Sequence, residues 1–187
     1  MKVVLIGYRA TGKSTVGRIL SAKLKIAFWD ADAMLEKSMA MPVKEIVALH
    51  GWDFFRAKEK ETIKTLAQKG DCVIATGGGV VLAQENVDLL KQAGVIIWLN
   101  APLQDIVDRL NKDAQSAAIR PQFTAGNIVQ ETAYMMKQRI LLYENAADHT
   151  VDTAGKSAAK VAEEIYQYLR KSKNLDKIIK SKKVSMK

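Results

Sequence analysis

The sequence predicts an α/β protein built on a parallel sheet, and three observations carry that prediction. Short apolar runs at 3–6, 27–29, 72–75, 95–99 and 150–151 alternate with segments of helical periodicity, the signature of stacked strand–helix–strand units. The runs are almost wholly apolar, as strands covered on both faces are. The first run passes directly through Gly7-Tyr8-Arg9-Ala10-Thr11-Gly12-Lys13-Ser14, a G-x-x-x-x-G-K-S pattern, into a helix.

Taken in order, Val3-Val4-Leu5-Ile6 forms the first strand, and Val16, Ile19, Leu20 and Leu24 recur at helical spacing in a helix over 13–24. Strand, glycine loop and helix in this order make a mechanism. Loop N–H groups wrap an anion, the helix N-terminus adds the positive end of its dipole, Lys13 reaches the β- and γ-phosphates, and the Ser14 hydroxyl can ligate Mg²⁺. The chain is therefore expected to bind a nucleoside triphosphate. The second strand ends in Asp30-Ala31-Asp32 and leads to helices at 32–39 and 43–50, with Pro42 in a first turn and Gly51 just past an end. A helix over 53–69 precedes the third strand, which runs off into Thr76-Gly77-Gly78-Gly79, where a ligand can approach the backbone closely. A helix over 85–93 closes at Gly94, the fourth strand follows, and Pro102 opens a helix over 103–111. Residues 112–126 are small or polar, with Arg120-Pro121 interrupting any helical pattern, and read as a mobile loop. Helices at 127–146 and 156–171 flank the last strand. Ligands of open parallel sheets bind at the carboxyl ends of the strands, so the phosphate loop, Asp30-Ala31-Asp32 and the glycine run define one expected site.

The 187 residues suit one domain with a sizeable core. One cysteine, Cys72, and two histidines argue against an internal disulfide and a zinc site, so any catalytic metal should be a hard ion held by oxygen. No run approaches a membrane span, and the first strand begins too early for a signal peptide, so a soluble cytoplasmic protein is expected. The net charge of +9 is concentrated: residues 170–187 carry eight Lys/Arg and one Asp, leaving about +2 for the rest. That distribution suits a solvated or frayed tail rather than a nucleic-acid surface.

Several residues admit two readings. Asp30 and Asp32 are either N-caps of the helix that follows or groups that support Mg²⁺ and face a substrate hydroxyl. Arg56 and Glu59 are i,i+3 neighbours, hence a surface ion pair, or a cleft pair in which Glu59 holds the guanidinium flat for a carboxylate. Arg120 is a solvated loop cation or an arginine finger, and Arg139 is a structural cation or a ligand group. His50 and His149 read as capping or surface residues. Trp52, Phe54 and Phe55 read as core or pocket wall.

Five blocks in fixed order resemble the shikimate kinase family: Lys13-Ser14-Thr15 in the phosphate loop; Asp30-Ala31-Asp32; Gly51 with Phe55-Arg56-Ala57-Lys58-Glu59; Thr76-Gly77-Gly78-Gly79; and Arg120-Pro121 followed by Arg139, Leu142-Tyr143 and Ala146. The resemblance runs from Met1 to about Leu169. It implies a P-loop NTPase fold of the nucleoside-monophosphate-kinase type with a five-stranded parallel sheet in order 2-3-1-4-5. It implies a single domain over 1–171, a helical substrate-binding segment at about 31–60 and a lid at about 112–124, with 172–187 as a basic tail. The implied activity is Mg²⁺-assisted transfer from ATP, the co-substrate, to shikimate. Lys13, Asp32 and Arg120 would be catalytic. Gly7, Ala10, Thr11, Gly12, Lys13, Ser14, Thr15, Arg109 and Arg120 would hold the nucleotide, Arg109 against adenine. Asp32, Arg56, Glu59, Gly77, Gly78, Gly79 and Arg139 would hold shikimate. Ser14 would ligate Mg²⁺ directly and Asp30 through water. A monomer with no nucleic-acid or membrane partner is expected. Three positions depart from the family pattern: Ala10 for glycine, Trp52 for Glu, and Gln122-Phe123 where Leu usually follows the proline. A gluconate-type kinase of the same fold, a nucleotide-binding regulatory module and nucleic-acid binding through the basic tail are the competing readings.

Overall fold

The computed structural model describes residues 2–112 and 128–171. Strand β1 (Lys2–Ile6) is the middle of a five-stranded sheet in order β2-β3-β1-β4-β5, with β2 (Ala27–Asp30), β3 (Cys72–Ala75), β4 (Gly94–Asn100) and β5 (His149–Asp152) all parallel to their neighbours. Val3 lies opposite Val73 on one side and Val95 on the other, so β1 is paired along both edges. Parallel neighbours need crossovers, which the helices α1 (Lys13–Leu24), α2 (Ala31–Met39), α3 (Val43–Ala67), α4 (Gln84–Ala93), α5 (Leu103–Lys112), α6 (Ile128–Ala146) and α7 (Ala158–Lys171) accompany.

Side chains alternate across a strand, and β1 therefore feeds two cores. Val3 and Leu5 pack with Val16 and Leu20 of α1 and with Val161, Ile165 and Leu169 of α7. Val4 and Ile6 pack with Ile63 and Leu66 of α3, Leu90 of α4, and Tyr143 and Ala146 of α6. Each fully buried aliphatic side chain here contributes about 1.5–3 kcal/mol relative to exposure, which is why the sheet anchors the loops at its ends. A smaller cluster of Leu35, Ile46 and Phe55 ties α2 to α3 at the edge of the cleft. Among the described residues no helix is long and apolar enough to cross a membrane.

Expected and observed elements agree closely, with informative differences. The helices expected at 43–50 and 53–69 are both present: α3 is two helical stretches that meet at a kink, where Gly51 is non-helical with φ 79° and ψ 172°. A side chain strongly disfavours that conformation, so Gly51 stands just past the first stretch, as expected, and turns the chain into the second. Gly94 opens β4 in an extended conformation as well as closing α4. Val80–Leu82 make a short 3-10 turn that no periodicity marked. The lid at about 112–124, including Arg120 and Gln122-Phe123, lies outside the described residues beyond Lys112, as does the 172–187 tail.

Candidate active site

The phosphate loop leaves β1 through backbone turns at Gly7 (φ 140°), Ala10 (φ 60°) and Gly12 (φ 89°). Gly12 caps α1 without a side-chain hydrogen bond, so the first N–H groups of that helix point toward the cavity as an anion site. The Thr11 hydroxyl donates to the Tyr8 carbonyl at 2.8 Å, which tightens the loop. Lys13 is buried and its ammonium donates to the Gly7 and Tyr8 carbonyls at 2.8 and 2.7 Å. Ser14 Oγ donates to Asp30 Oδ2 at 2.5 Å, while Asp30 Oδ1 accepts from the Ala33 N–H at 3.2 Å. Asp30 is thus both a helix cap, as one of its sequence readings has it, and a carboxylate against the phosphate loop. Hydroxyl and carboxylate side by side suit Mg²⁺, a hard ion that takes few protein ligands and keeps its waters. Lys13, Ser14, Thr15 and Asp32 line a cavity of about 290 Å³ here. Arg109 lines it too, donating to the Ala10 carbonyl and to both oxygens of Thr153 at 3.3 Å.

A second cavity, of about 230 Å³, lies between α2, α3, the glycine run and α6. Arg56 Nη1 donates to Glu59 Oε2 at 2.7 Å, and its guanidinium faces the rings of Trp52 and Phe55 at 5.4 and 5.2 Å. The ion pair is therefore a cleft pair with a buried carboxylate, not a surface pair. Glu59 is only 3% exposed, and burial pushes its carboxyl above the ordinary value although Arg56 pulls it down; the Asp32 charge raises it further and Arg139 lowers it. The glycine run lets the side chains of the cavity close over the backbone. A Cβ on Gly77 would lie 2.6 Å from Asp32 Oδ1 and 3.1 Å from Glu59 Oε1, and one on Gly79 would collide with the Arg56 guanidinium. Arg139 of α6 is 3% exposed and donates to the Gly78 carbonyl at 3.3 Å. The Tyr143 hydroxyl donates to the same carbonyl at 2.5 Å, and burial holds that phenol well above its ordinary pKa.

The two cavities meet: Asp30, Asp32 and Gly78 line both. One side is a phosphate loop, and the other presents Arg56 and Arg139 around an aspartate. Arg120 falls outside the described residues; the other expected positions lie in or beside these cavities. Sequence reading missed Arg9, which lines the second cavity and whose guanidinium donates to Glu131 Oε1 of α6 at 2.9 Å. It also missed the Tyr143 bond to Gly78. Arg9 occupies a variable position of the loop motif, and Glu131 reads as an ordinary acidic residue in a helix's first turn, so only their distance from one another in space reveals the pair. His50 is exposed against Phe54, and His149 stacks on Tyr168 at 3.8 Å, both away from the site. Cys72 is buried in β3, where desolvation raises its thiol pKa.

Known proteins are similar to this chain along nearly its whole length. The family model described as shikimate kinase matches residues 9–170. A shikimate kinase of Nitratidesulfovibrio vulgaris is 41% identical over 80% of this chain and 85% of its own length. One from Syntrophus aciditrophicus is 37% identical over 87% of this chain and 88% of its own. The solved shikimate kinase of Acinetobacter baumannii, in complex with shikimate, superposes with a TM-score of 0.87 at 30% identity, covering 92% of this chain and 94% of that one. The fold is that of a nucleoside-monophosphate-kinase-like P-loop protein, sheet order included. With a match that spans the phosphate loop, the glycine run and the helix bearing Arg139, the chain belongs to the shikimate kinase family.

Proposed function

We propose that the protein transfers the terminal phosphoryl group of ATP to a hydroxyl of shikimate, giving ADP and shikimate 3-phosphate. The observation that carries this reading is the junction of the two cavities at Asp30, Asp32 and Gly78. A phosphate held by the loop meets a hydroxy acid held by guanidiniums at one carboxylate. The shikimate carboxylate sits on Arg56 and Arg139, with Glu59 keeping Arg56 flat for a two-point grip. Gly77, Gly78 and Gly79 let the ring approach the backbone.

Phosphoryl transfer passes through a loose transition state, so positioning and charge neutralisation do most of the work. The acceptor oxygen attacks the γ-phosphorus, the bond to the β–γ bridging oxygen breaks, and Asp32 orients the hydroxyl and receives its proton. Lys13 leaves the Gly7 and Tyr8 carbonyls for phosphate oxygens, and Arg120 meets the transferring group from the lid. Gly7, Ala10, Thr11, Gly12 and Thr15 shape the loop around the phosphates, with Arg109 on the adenine side. Ser14 directly, and Asp30 through water, would hold Mg²⁺, which would supply positive charge against the phosphates. Closure of residues 112–124 over the bound pair excludes water, the competing acceptor. The helical segment at 31–60 carries the acceptor, and the protein acts as a monomer.

The test is ADP release with shikimate and with gluconate as acceptors, each with Mg²⁺ and with chelator. Mg²⁺-dependent release with shikimate alone is expected. Release with gluconate and none with shikimate would sink the assignment.

A further inference from the structure

The geometry points to Arg9 as a positioning residue for the acceptor, acting through its ion pair with Glu131; the inference rests on the phosphotransfer reading above. Arg9 belongs to the phosphate loop by sequence, yet it is among the residues that line the acceptor cavity and not among those that line the phosphate cavity. Its partner lies 122 positions away in the first turn of α6, and the two side chains are 13% and 3% exposed. A pair this buried is weak evidence for stability, because desolvation offsets the attraction. What it supplies is register: two fixed groups meet in one geometry.

That register reaches Arg139. Residues four and eight apart share a helix face, so Glu131, Met135 and Arg139 form one stripe of α6. Each member of the stripe seats on the loop or on the glycine run. Glu131 holds Arg9; Met135 packs in the cluster that contains Tyr8; Arg139 donates to the Gly78 carbonyl. Both guanidiniums lie near the Tyr8 ring, with Arg9 Cζ 5.7 Å and Arg139 Cζ 5.8 Å from its centroid. Gly78 closes the circuit from below, since a Cβ there would meet the Arg9 backbone nitrogen at 3.2 Å. The ion pair pins the start of α6 to the phosphate loop, and this fixes where Arg139 enters the cavity. Pairing with Glu131 also keeps the Arg9 charge from competing with Arg56 and Arg139 for the acceptor's carboxylate.

The test compares Glu131→Gln, Arg9→Met, Arg9→Lys and the double variant Arg9→Met/Glu131→Leu by steady-state kinetics, varying shikimate and ATP separately. The double variant removes both members of the pair together, so it remains informative should a single variant fail to fold. Glu131→Gln, Arg9→Met and the double variant should each raise KM for shikimate by about tenfold, without additivity, while kcat and KM for ATP stay within about twofold. Arg9→Lys, which keeps the charge, should recover most of the lost affinity. A folded Glu131→Gln protein with unchanged KM for shikimate, or a change confined to KM for ATP, overturns the inference. A wild-type protein that turns over no shikimate overturns the functional reading itself, so the two failures are distinguishable.

Discussion

Lys13 already makes two short hydrogen bonds, to the Gly7 and Tyr8 carbonyls, so it ties the loop together before it meets any phosphate. Lys13→Ala should therefore lower kcat by about 10³-fold, since a preorganised cation on the transferring group is lost together with the loop's own tether. Retention of near-wild-type ADP release would end the proposed chemistry. Ala10 presents the opposite case, a residue tolerated despite its backbone. Its φ of 60° is left-handed, which costs a side-chain-bearing residue about 1–2 kcal/mol. Glycine relieves that strain but costs about 0.5–1 kcal/mol in unfolded-chain entropy. Ala10→Gly should thus stabilise the fold by about 0.5 kcal/mol in urea unfolding, the small difference between those opposing terms. A clear loss of stability would mean that the Ala10 methyl, packed beside Tyr8 and Ile106, is worth more than the strain.

Helix α3 shows how an element rather than a residue shapes the acceptor cavity. Before Gly51 it contributes Ile46 to the Leu35 cluster; after it, Phe55 joins the same cluster while Arg56 and Glu59 face the cavity. A straight helix could not aim both stretches at one cleft edge, and the break at Gly51 supplies the change of direction. A Cβ at Gly51 would meet nothing within 4 Å, so substitution there costs conformation and not packing. Gly51→Ala should destabilise the protein by about 1–3 kcal/mol and raise KM for shikimate more than KM for ATP. Equal effects on both substrates would show that the bend serves the whole fold and not the Arg56 stretch. The Trp52 departure belongs to this element too: the indole next to the break forms a wall of the cavity that Arg56 faces.

At the scale of the molecule, what the sequence disclosed was what is local in the chain. Strands, helices and the three convergent strand ends follow from runs and spacings of neighbouring residues, and the sheet order came with the family resemblance. Asp30 was read in two ways because a cap and a ligand share one residue type, and the fold uses it as a cap with a second oxygen on Ser14. Arg9 with Glu131, and Tyr143 with the Gly78 carbonyl, were hidden because each links positions more than sixty residues apart through side chains that no periodicity pairs. Glu59 lay between these cases: its i,i+3 spacing announced the Arg56 pair, but burial, which no spacing states, reverses its effect on stability. Its folded-state pKa stands above the unfolded value of 4.5, with desolvation the largest cause. The folded state therefore binds more protons than the unfolded state once pH exceeds that value, and the group's contribution, complete below pH 4.5, is lost as pH rises through the raised folded value. The stability of wild type relative to Glu59→Gln should fall as pH is raised from 4 towards neutrality, read from paired urea unfolding curves. A difference that instead grows with pH would mean that the attraction of Arg56 outweighs the cost of burying the carboxylate, and that the pair stabilises the fold as well as shaping the cavity.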